Sequence, residues 1–323
     1  MRPSIDHIIL SRTDSIGDVM LTLPMSGLLK SRMPATRITF LCRRYTLPVL
    51  RCCAHVDAAI ALEDIAPSAP LPPADAIVHV FPSRPVARMA LSARIPLRIG
   101  TSHRWWHWLA CNRLVRFSRR RSALHEAQLN LKLLRPLGID EEPSLEALHA
   151  LSGFSPPAPD DAARAFLRDD RINVVLHPLS KGSAVEWGLE RFARLIEALD
   201  PSRHHAIITG TASEADRYRA SLPLRLPHVS DAGGRLGLHQ LIGLIGSSQA
   251  LVACSTGPLH IASACGIRAI GLYSPMRPIH PGRWGPMGPR AVALTAPAAG
   301  PQAGPRADIA AITVEQVLEH LPR

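Results

Sequence analysis

Along this chain apolar residues gather in short blocks, some unbroken and some spaced for one face of a helix, and the two kinds alternate. Residues 7–11 (HIILS) and 37–42 (RITFLC) are apolar runs of strand length, and the apolar positions of 18–33 between them recur at helical spacing. That is a strand, helix, strand unit. Residues 76–81 predict another strand and 125–137 a helix, with Leu129, Leu131, Leu133, Leu134 and Leu137 before a stop at Gly138. Over 151–161 the composition turns to Ser, Gly, Pro, Ala and Asp, and Pro156, Pro157 and Pro159 make a stiff, non-helical connector. Beyond it the alternation restarts, with strands at 172–177, 205–209, 250–253 and 268–273 and helices at 189–199, 238–247 and 258–265. An Ala, Gly and Pro tract over 297–305 reads as a loop, and 309–321 as a terminal amphipathic helix. The pattern predicts an α/β protein of two Rossmann-like, doubly wound parallel-sheet domains, 1–158 and 159–323, facing a central cleft where ligand binds.

Composition narrows what such a protein handles. A hydrophobic fraction of 46% against 20% charged residues excludes a disordered polyelectrolyte. Lys plus Arg number 37 and Asp plus Glu 26, so the formal charge of +11 favours an anionic partner. The excess is concentrated up to residue 158, with 20 basic and 12 acidic residues, against 17 and 14 afterwards. Between 76 and 125 ten arginines and no acid are interleaved with Trp105, Trp106 and Trp108. Such a stretch can grip a phosphorylated glycan, an anionic membrane or single-stranded nucleic acid, or it is a solvated basic face. No run approaches the roughly 20 apolar residues of a spanning helix. Asp6, Arg12, Asp14 and Asp18 would interrupt an export signal, so the expectation is a cytoplasmic protein that can rest on the inner membrane face. Six cysteines without a CxxC pair fit reduced, buried thiols, and Cys52, Cys53 and His55 lack a second ligand cluster for a metal.

Three loops could carry chemistry. The first, residues 12–18 (RTDSIGD), joins a strand to a helix at the sheet edge where ligands collect. Asp18 there is either the helix N-cap or a carboxylate at a cleft rim able to accept a proton from a sugar hydroxyl, while Asp14 reads as a solvated turn residue. The second, residues 255–260 (STGPLH), follows the strand at 250–253. Ser255 or Thr256 can cap, Gly257 permits close backbone approach, and Pro258 suits a first helical turn, so free N–H groups and the helix dipole can seat a phosphate; a plain capped helix fits equally. Neither a P-loop nor a dinucleotide fingerprint is present. The third, residues 177–184 (HPLSKGSA), leaves a strand with small hydroxyl residues and one mobile cation, Lys181, ahead of Trp187. No Asp-x-Asp occurs anywhere, so protein donors rather than a divalent ion are expected to neutralise a diphosphate.

In this order and spacing the loops resemble glycosyltransferase family nine, the heptosyltransferases that build the inner core of lipopolysaccharide. Gly17-Asp18-Val19 with Leu21-Thr22-Leu23-Pro24 resembles that family's opening segment, and 125–138 its mid-chain helix. Residues 177–192 resemble its HPgS…W…F segment, and 234–288, including Thr256-Gly257-Pro258-Leu259-His260 and Arg283-Trp284-Gly285-Pro286, its donor region. The resemblance implies a GT-B enzyme, inverting and without a metal or other cofactor. The acceptor would sit on the first domain and the nucleotide sugar, ADP-heptose by analogy, on the second. It implies Asp18 as general base. Ser180, Lys181, Ser255, Thr256, Gly257 and His260 fall on the donor side, and Arg12, Arg119, Arg120 and Arg121 on the side of an anionic glycolipid acceptor. It also implies that the terminal helix 309–321 crosses back onto the first domain. Nucleic acid is not an expected partner.

Two positions depart from the family. Cys254-Ser255 stands where Asn-Asp is usual, removing a carboxylate expected on the donor sugar's hydroxyls. Val185 stands where a lysine is usual two residues before the tryptophan, and Lys181 stands where glycine is usual, so Lys181 can supply the charge from another point on the loop. The alternatives are a GT-B enzyme using another nucleotide sugar, as transferase or epimerase, and a non-catalytic polyanion-binding protein on the same scaffold. A carboxylate kept at Asp18 argues against the last, because binding an anion alone would favour a cation there.

Overall fold

A computed structural model describes residues 5–66, 69–119, 122–295 and 309–323 of the chain. It forms two compact units, Met1–Ser155 and Pro156–Arg323, which divide inside the proline-rich connector, just before the boundary read at 158. Each unit is built on a six-stranded sheet in which every adjacent pair is parallel. In the first unit the strands are β1 (His7–Ser11), β2 (Arg37–Cys42), β3 (Ala58–Ala61), β4 (Ala76–His79), β5 (Leu97–Thr101) and β6 (Arg113–Val115). In the second they are β7 (Ile172–His177), β8 (His204–Ile208), β9 (Val229–Asp231), β10 (Ala250–Cys254), β11 (Arg268–Tyr273) and β12 (Val292–Thr295).

The central strands are buried almost throughout, which is why they read as unbroken apolar runs. Spatial order is β3-β2-β1-β4-β5-β6 in one sheet and β12-β11-β10-β7-β8-β9 in the other. Each order reverses direction once, between β1 and β4 and between β7 and β10. Connections on the two sides of such a point diverge, leaving a crevice at the carboxyl ends of the strands. All three loops singled out above leave strands at these two points.

Several predicted helices are broken where their period runs on. Residues 18–33 form two helices, Ile16–Met20 and Leu23–Arg32. Thr22 stands between them, its hydroxyl donating to the Asp18 carbonyl at 2.8 Å, and Pro24 opens the second helix, where its missing N–H costs nothing. The helix read over 125–137 is Glu126–Leu131 continued by a tighter 3₁₀ segment, Lys132–Leu137, since Pro136 cannot donate to the α ladder; Gly138, at φ 85°, closes it. The terminal helix also restarts: Thr313 and Gln316 cap one another, and the helix runs Val314–Glu319. Val314, Val317 and Leu321 enter the core of the second unit that holds Trp187 and Phe192. The tract at 297–305 lies outside the described residues. The arginine-rich stretch is not a single element: it contains the helix Arg84–Ser92, β5, the helix Trp105–Ala110 and β6.

His79 ends β4 in register with Ser11 of β1, and it is fully buried with neither ring nitrogen hydrogen-bonded among the described residues. The ring of His107 lies 5.5 Å away between centroids. Burial first, then His107, pushes the His79 imidazole down to about 3. Below pH 6.5 the unfolded chain therefore takes a proton that the folded chain refuses, so stability present at neutral pH is lost as pH falls towards 3. Between pH 6.5 and pH 5 this group alone is expected to remove about 2 kcal/mol. His79→Leu, of similar volume, should flatten that acid limb in a series of melting curves. Parallel loss in both proteins would show that another group carries it.

Candidate functional site

In the first unit the loop after β1 is organised by Ser15. Ser15, not Asp18, is the N-cap of Ile16–Met20: its hydroxyl accepts from the Asp18 N–H at 3.3 Å and donates to Asp18 Oδ2 at 2.6 Å. Asp18 thus occupies the first turn, where the free N–H groups favour negative charge. Its other oxygen, Oδ1, takes the Arg12 guanidinium. The side chain remains 19% exposed, so the carboxylate is fixed on two sides and still reachable.

Arg12 was expected to meet acceptor, but it is spent inside the protein. Buried, it donates from Nε to Asp14 Oδ1 at 2.8 Å and from Nη1 to Asn130 Oδ1 at 3.4 Å, with Glu126 Oε1 at 4.0 Å. Arg119 joins the same network, its Nε on Glu126 Oε1 at 2.9 Å and its Nη2 on Asn130 Oδ1 at 3.1 Å. Asn130 in turn donates to the Leu21 carbonyl at 3.2 Å and to Thr22 Oγ1 at 3.3 Å. Glu126 and Asn130 lie one helical turn apart on the helix Glu126–Leu131, so one helix face holds two arginines against the Asp18 loop. Arg120 and Arg121 lie outside the described residues. Asp14 is not a solvated turn residue: burial raises its carboxyl to about 6, against the opposing pull of Arg12 and with the Asp18 charge adding to the rise.

In the second unit the loop after β7 is tied to itself. The Ser180 N–H donates to Glu186 Oε1 at 2.9 Å, and its hydroxyl contacts the Ala184 carbonyl and Glu186 Oε1, both at 3.0 Å. Gly182 N–H returns to that hydroxyl at 3.2 Å. Ser180 therefore shapes the loop, and Lys181, at φ 49° and exposed, stands at its tip without an ion pair among the described residues. Trp187 closes the segment from the core, its indole N–H on the Ile312 carbonyl at 2.9 Å.

At the neighbouring β10 the helix Gly257–Ala264 begins with Thr256 as N-cap, in extended conformation, and Pro258 in the first turn. The Thr256 hydroxyl makes no cap bond and is buried without a hydrogen-bond partner among the described residues. An unmet buried hydroxyl beside free helix N–H groups is a place for an anion's oxygens. His260 is buried within that helix. The Ser255 side chain lies against the Tyr273 phenol, whose O–H donates to the Trp284 carbonyl at 2.7 Å. This links the STGPLH loop to the Arg283-Trp284-Gly285 segment, a coupling the sequence did not disclose. Among the described residues no three His, Cys, Asp or Glu side chains are placed to hold a metal ion, and no helix is long and apolar enough to cross a membrane.

Comparison with known proteins places these features in a group. Residues 86–306 match the family described as Glycosyltransferase family 9 (heptosyltransferase). A candidate glycosyltransferase of Haemophilus influenzae is 25% identical over 300 residues, covering 87% of this chain and 86% of its own. Lipopolysaccharide heptosyltransferase 3 of Escherichia coli is 24% identical over 284 residues, 80% of each chain. The fold is that of E. coli ADP-heptose LPS heptosyltransferase II, with a TM-score of 0.74 at 18% identity over 98% of this chain and 97% of that one.

Proposed function

This chain belongs to glycosyltransferase family 9 and is a glycosyltransferase of GT-B fold, and from that premise we propose the reaction it performs. It transfers a heptose-like sugar from an ADP-sugar to an anionic lipopolysaccharide-core or related surface-glycan acceptor, with inversion and without a metal. Similarity to two proteins named as heptosyltransferases supports the donor class. The observation that carries the chemistry is Asp18, held by Arg12 and Ser15 at the reversal point of the first sheet. Asp18 takes the proton of an acceptor hydroxyl as that oxygen forms its bond to the anomeric carbon. The bond from that carbon to the diphosphate breaks, and the leaving group departs with the electron pair. Its growing charge is met by the Thr256 hydroxyl, the N–H groups opening Gly257–Ala264, and Lys181. His260 belongs to this donor side, and Ser180 acts by setting the loop that presents Lys181. Arg12 and Arg119 position the base; Arg120 and Arg121 keep the proposed contact with the acceptor's anionic groups.

The test is release of ADP from ADP-heptose that depends on an added lipopolysaccharide-core acceptor. Equal turnover of the donor without acceptor would favour an epimerase instead. Ser255, turned to Tyr273 where a carboxylate is usual, favours a second donor sugar as the alternative, and a thermal-shift screen of nucleotide sugars separates the two. Activity is expected to survive EDTA, and a complete loss restored by a divalent metal would overturn the metal-free reading. Lys181→Ala should weaken ADP binding roughly two- to tenfold while leaving adenosine binding unchanged. Equal losses for both would remove Lys181 from the phosphate site.

A further inference from the structure

The helix Trp105–Ala110 turns its apolar side outward. Trp105, Trp108 and Leu109, at helical i, i+3, i+4 spacing, are 58%, 64% and 74% exposed, while His107 and Ala110 face inward. Leu91, 44% exposed at the end of the neighbouring helix Arg84–Ser92, widens the patch. The Trp108 indole N–H already donates to the Ser102 carbonyl at 2.9 Å, so its outer ring has no polar atom left to satisfy. The Arg84 guanidinium stands 4.9 Å from the centre of the Trp105 ring. Arg88 on the neighbouring helix, Arg104 at the start of this one, and Arg94, Arg113 and Arg116 at the ends of the adjoining elements are exposed, and they and Arg84 make no ion pair among the described residues. No acid occurs between 76 and 125 to offset them.

We propose that this face docks the first unit on the surface of an anionic lipid bilayer. Trp105, Trp108 and Leu109 enter the boundary between headgroups and acyl chains, and the arginines hold lipid phosphates. Indole rings favour that boundary, and a short apolar insertion combined with several cations makes the two-part anchor that stable peripheral binding requires. A second copy of the chain fits the face poorly, because it would bring the same uncompensated arginines against these. None of these residues is among those assigned to the base or to the donor, so the proposal stands whichever sugar is transferred. It also has a directional consequence, since the chain leaves β5 for this helix at the same sheet edge from which it leaves β1 for Asp18.

The experiment is flotation of the full-length protein with vesicles of phosphatidylcholine alone and of phosphatidylcholine mixed with phosphatidylglycerol, at low and high salt. Wild type should float with the anionic vesicles, less so at high salt, with a blue shift in tryptophan emission. A variant carrying Trp105→Ser, Trp108→Ser and Leu109→Ser should bind roughly tenfold more weakly while remaining folded, with only a small fall in melting temperature from the lost Trp108 hydrogen bond and Arg84 contact. A charge variant, Arg84→Gln with Arg88→Gln and Arg104→Gln, should lose the preference for phosphatidylglycerol. Equal flotation of wild type and the Ser variant would overturn the proposal. So would a dimer in sedimentation that the Ser variant turns into monomer, which would make the face a contact between copies.

Discussion

Asp18→Asn yields a folded protein that still binds nucleotide sugar and turns it over roughly a hundred to ten thousand times more slowly. The amide keeps the shape of the carboxylate. Its oxygen can still accept from the Arg12 guanidinium and its backbone N–H still meets the Ser15 hydroxyl, so the loop and the first helix keep their anchors. What disappears is the ability to take a proton at the reachable edge. The expected signature is therefore a fall in kcat with little change in donor affinity or melting temperature. Near-normal turnover would end the assignment, and a fall in turnover accompanied by a collapse of donor binding and melting temperature would mean that Asp18 supports the fold and not the proton transfer. Arg12 gives a useful contrast. It is buried with two aspartates, Glu126 and Asn130 around it, so its removal should damage stability and activity together.

Trp187→Ala is expected to cost about 3–5 kcal/mol, the largest stability loss from a single side chain near either site. The indole is buried, packs edge-on against Phe192 with centroids 5.2 Å apart, and donates to the Ile312 carbonyl. It joins the loop carrying Lys181, the helix Leu189–Ala198 and the chain entering the terminal helix in one core. Truncation leaves a cavity, orphans a carbonyl and frees the end of the loop, so ADP affinity should fall with stability. Trp187→Phe restores much of the packing but not the hydrogen bond, and about 1–2 kcal/mol of the loss should remain. Denaturant unfolding of the three proteins checks this. An alanine variant as stable as wild type would show that the core closes without the indole.

Strands were legible in the sequence because their signal is local; the sequence also placed Asp18 in the loop after β1, but its proposed part as base came from the family resemblance and not from local pattern. β1, β2, β7 and β11 are bounded in the structure where their apolar runs begin and end, because strands covered on both faces tolerate few polar residues. β5 and β6 escaped notice because Arg98 and Arg113 interrupt runs already short. Helix breaks at Thr22 and Lys132 were hidden by apolar spacing that carries on past them, although Pro24 and Pro136 marked both places. The partners that hold Asp18 were less visible than Asp18 itself. Glu126 and Asn130 meet Arg12 across more than a hundred residues of chain, and their only local sign was two polar side chains a helical turn apart. Arg12 and Arg119 read as cations for an acceptor because a sequence shows charge but not the partner that consumes it. A sequence likewise does not show that the Ser180 hydroxyl meets Glu186 or that Ser255 lies against Tyr273.

The pairing of β7 with β10 sets a constraint on how the second unit comes into being. β7 is finished at His177, but the strand that covers one of its edges ends at Cys254, and the register joins Val174 to Ala250 across everything between. A ribosome adding 5–20 residues per second leaves that edge open for about 4–15 s. During that time β8 can shield one side, while the other offers unpaired N–H and C=O groups on one of the most apolar strands of the chain. β1 waits in the same way for β4. The nascent chain is therefore most exposed to strand-to-strand misassociation just before Ala250 emerges, and fragments ending between β9 and β10 should need a chaperone or aggregate where the full chain does not.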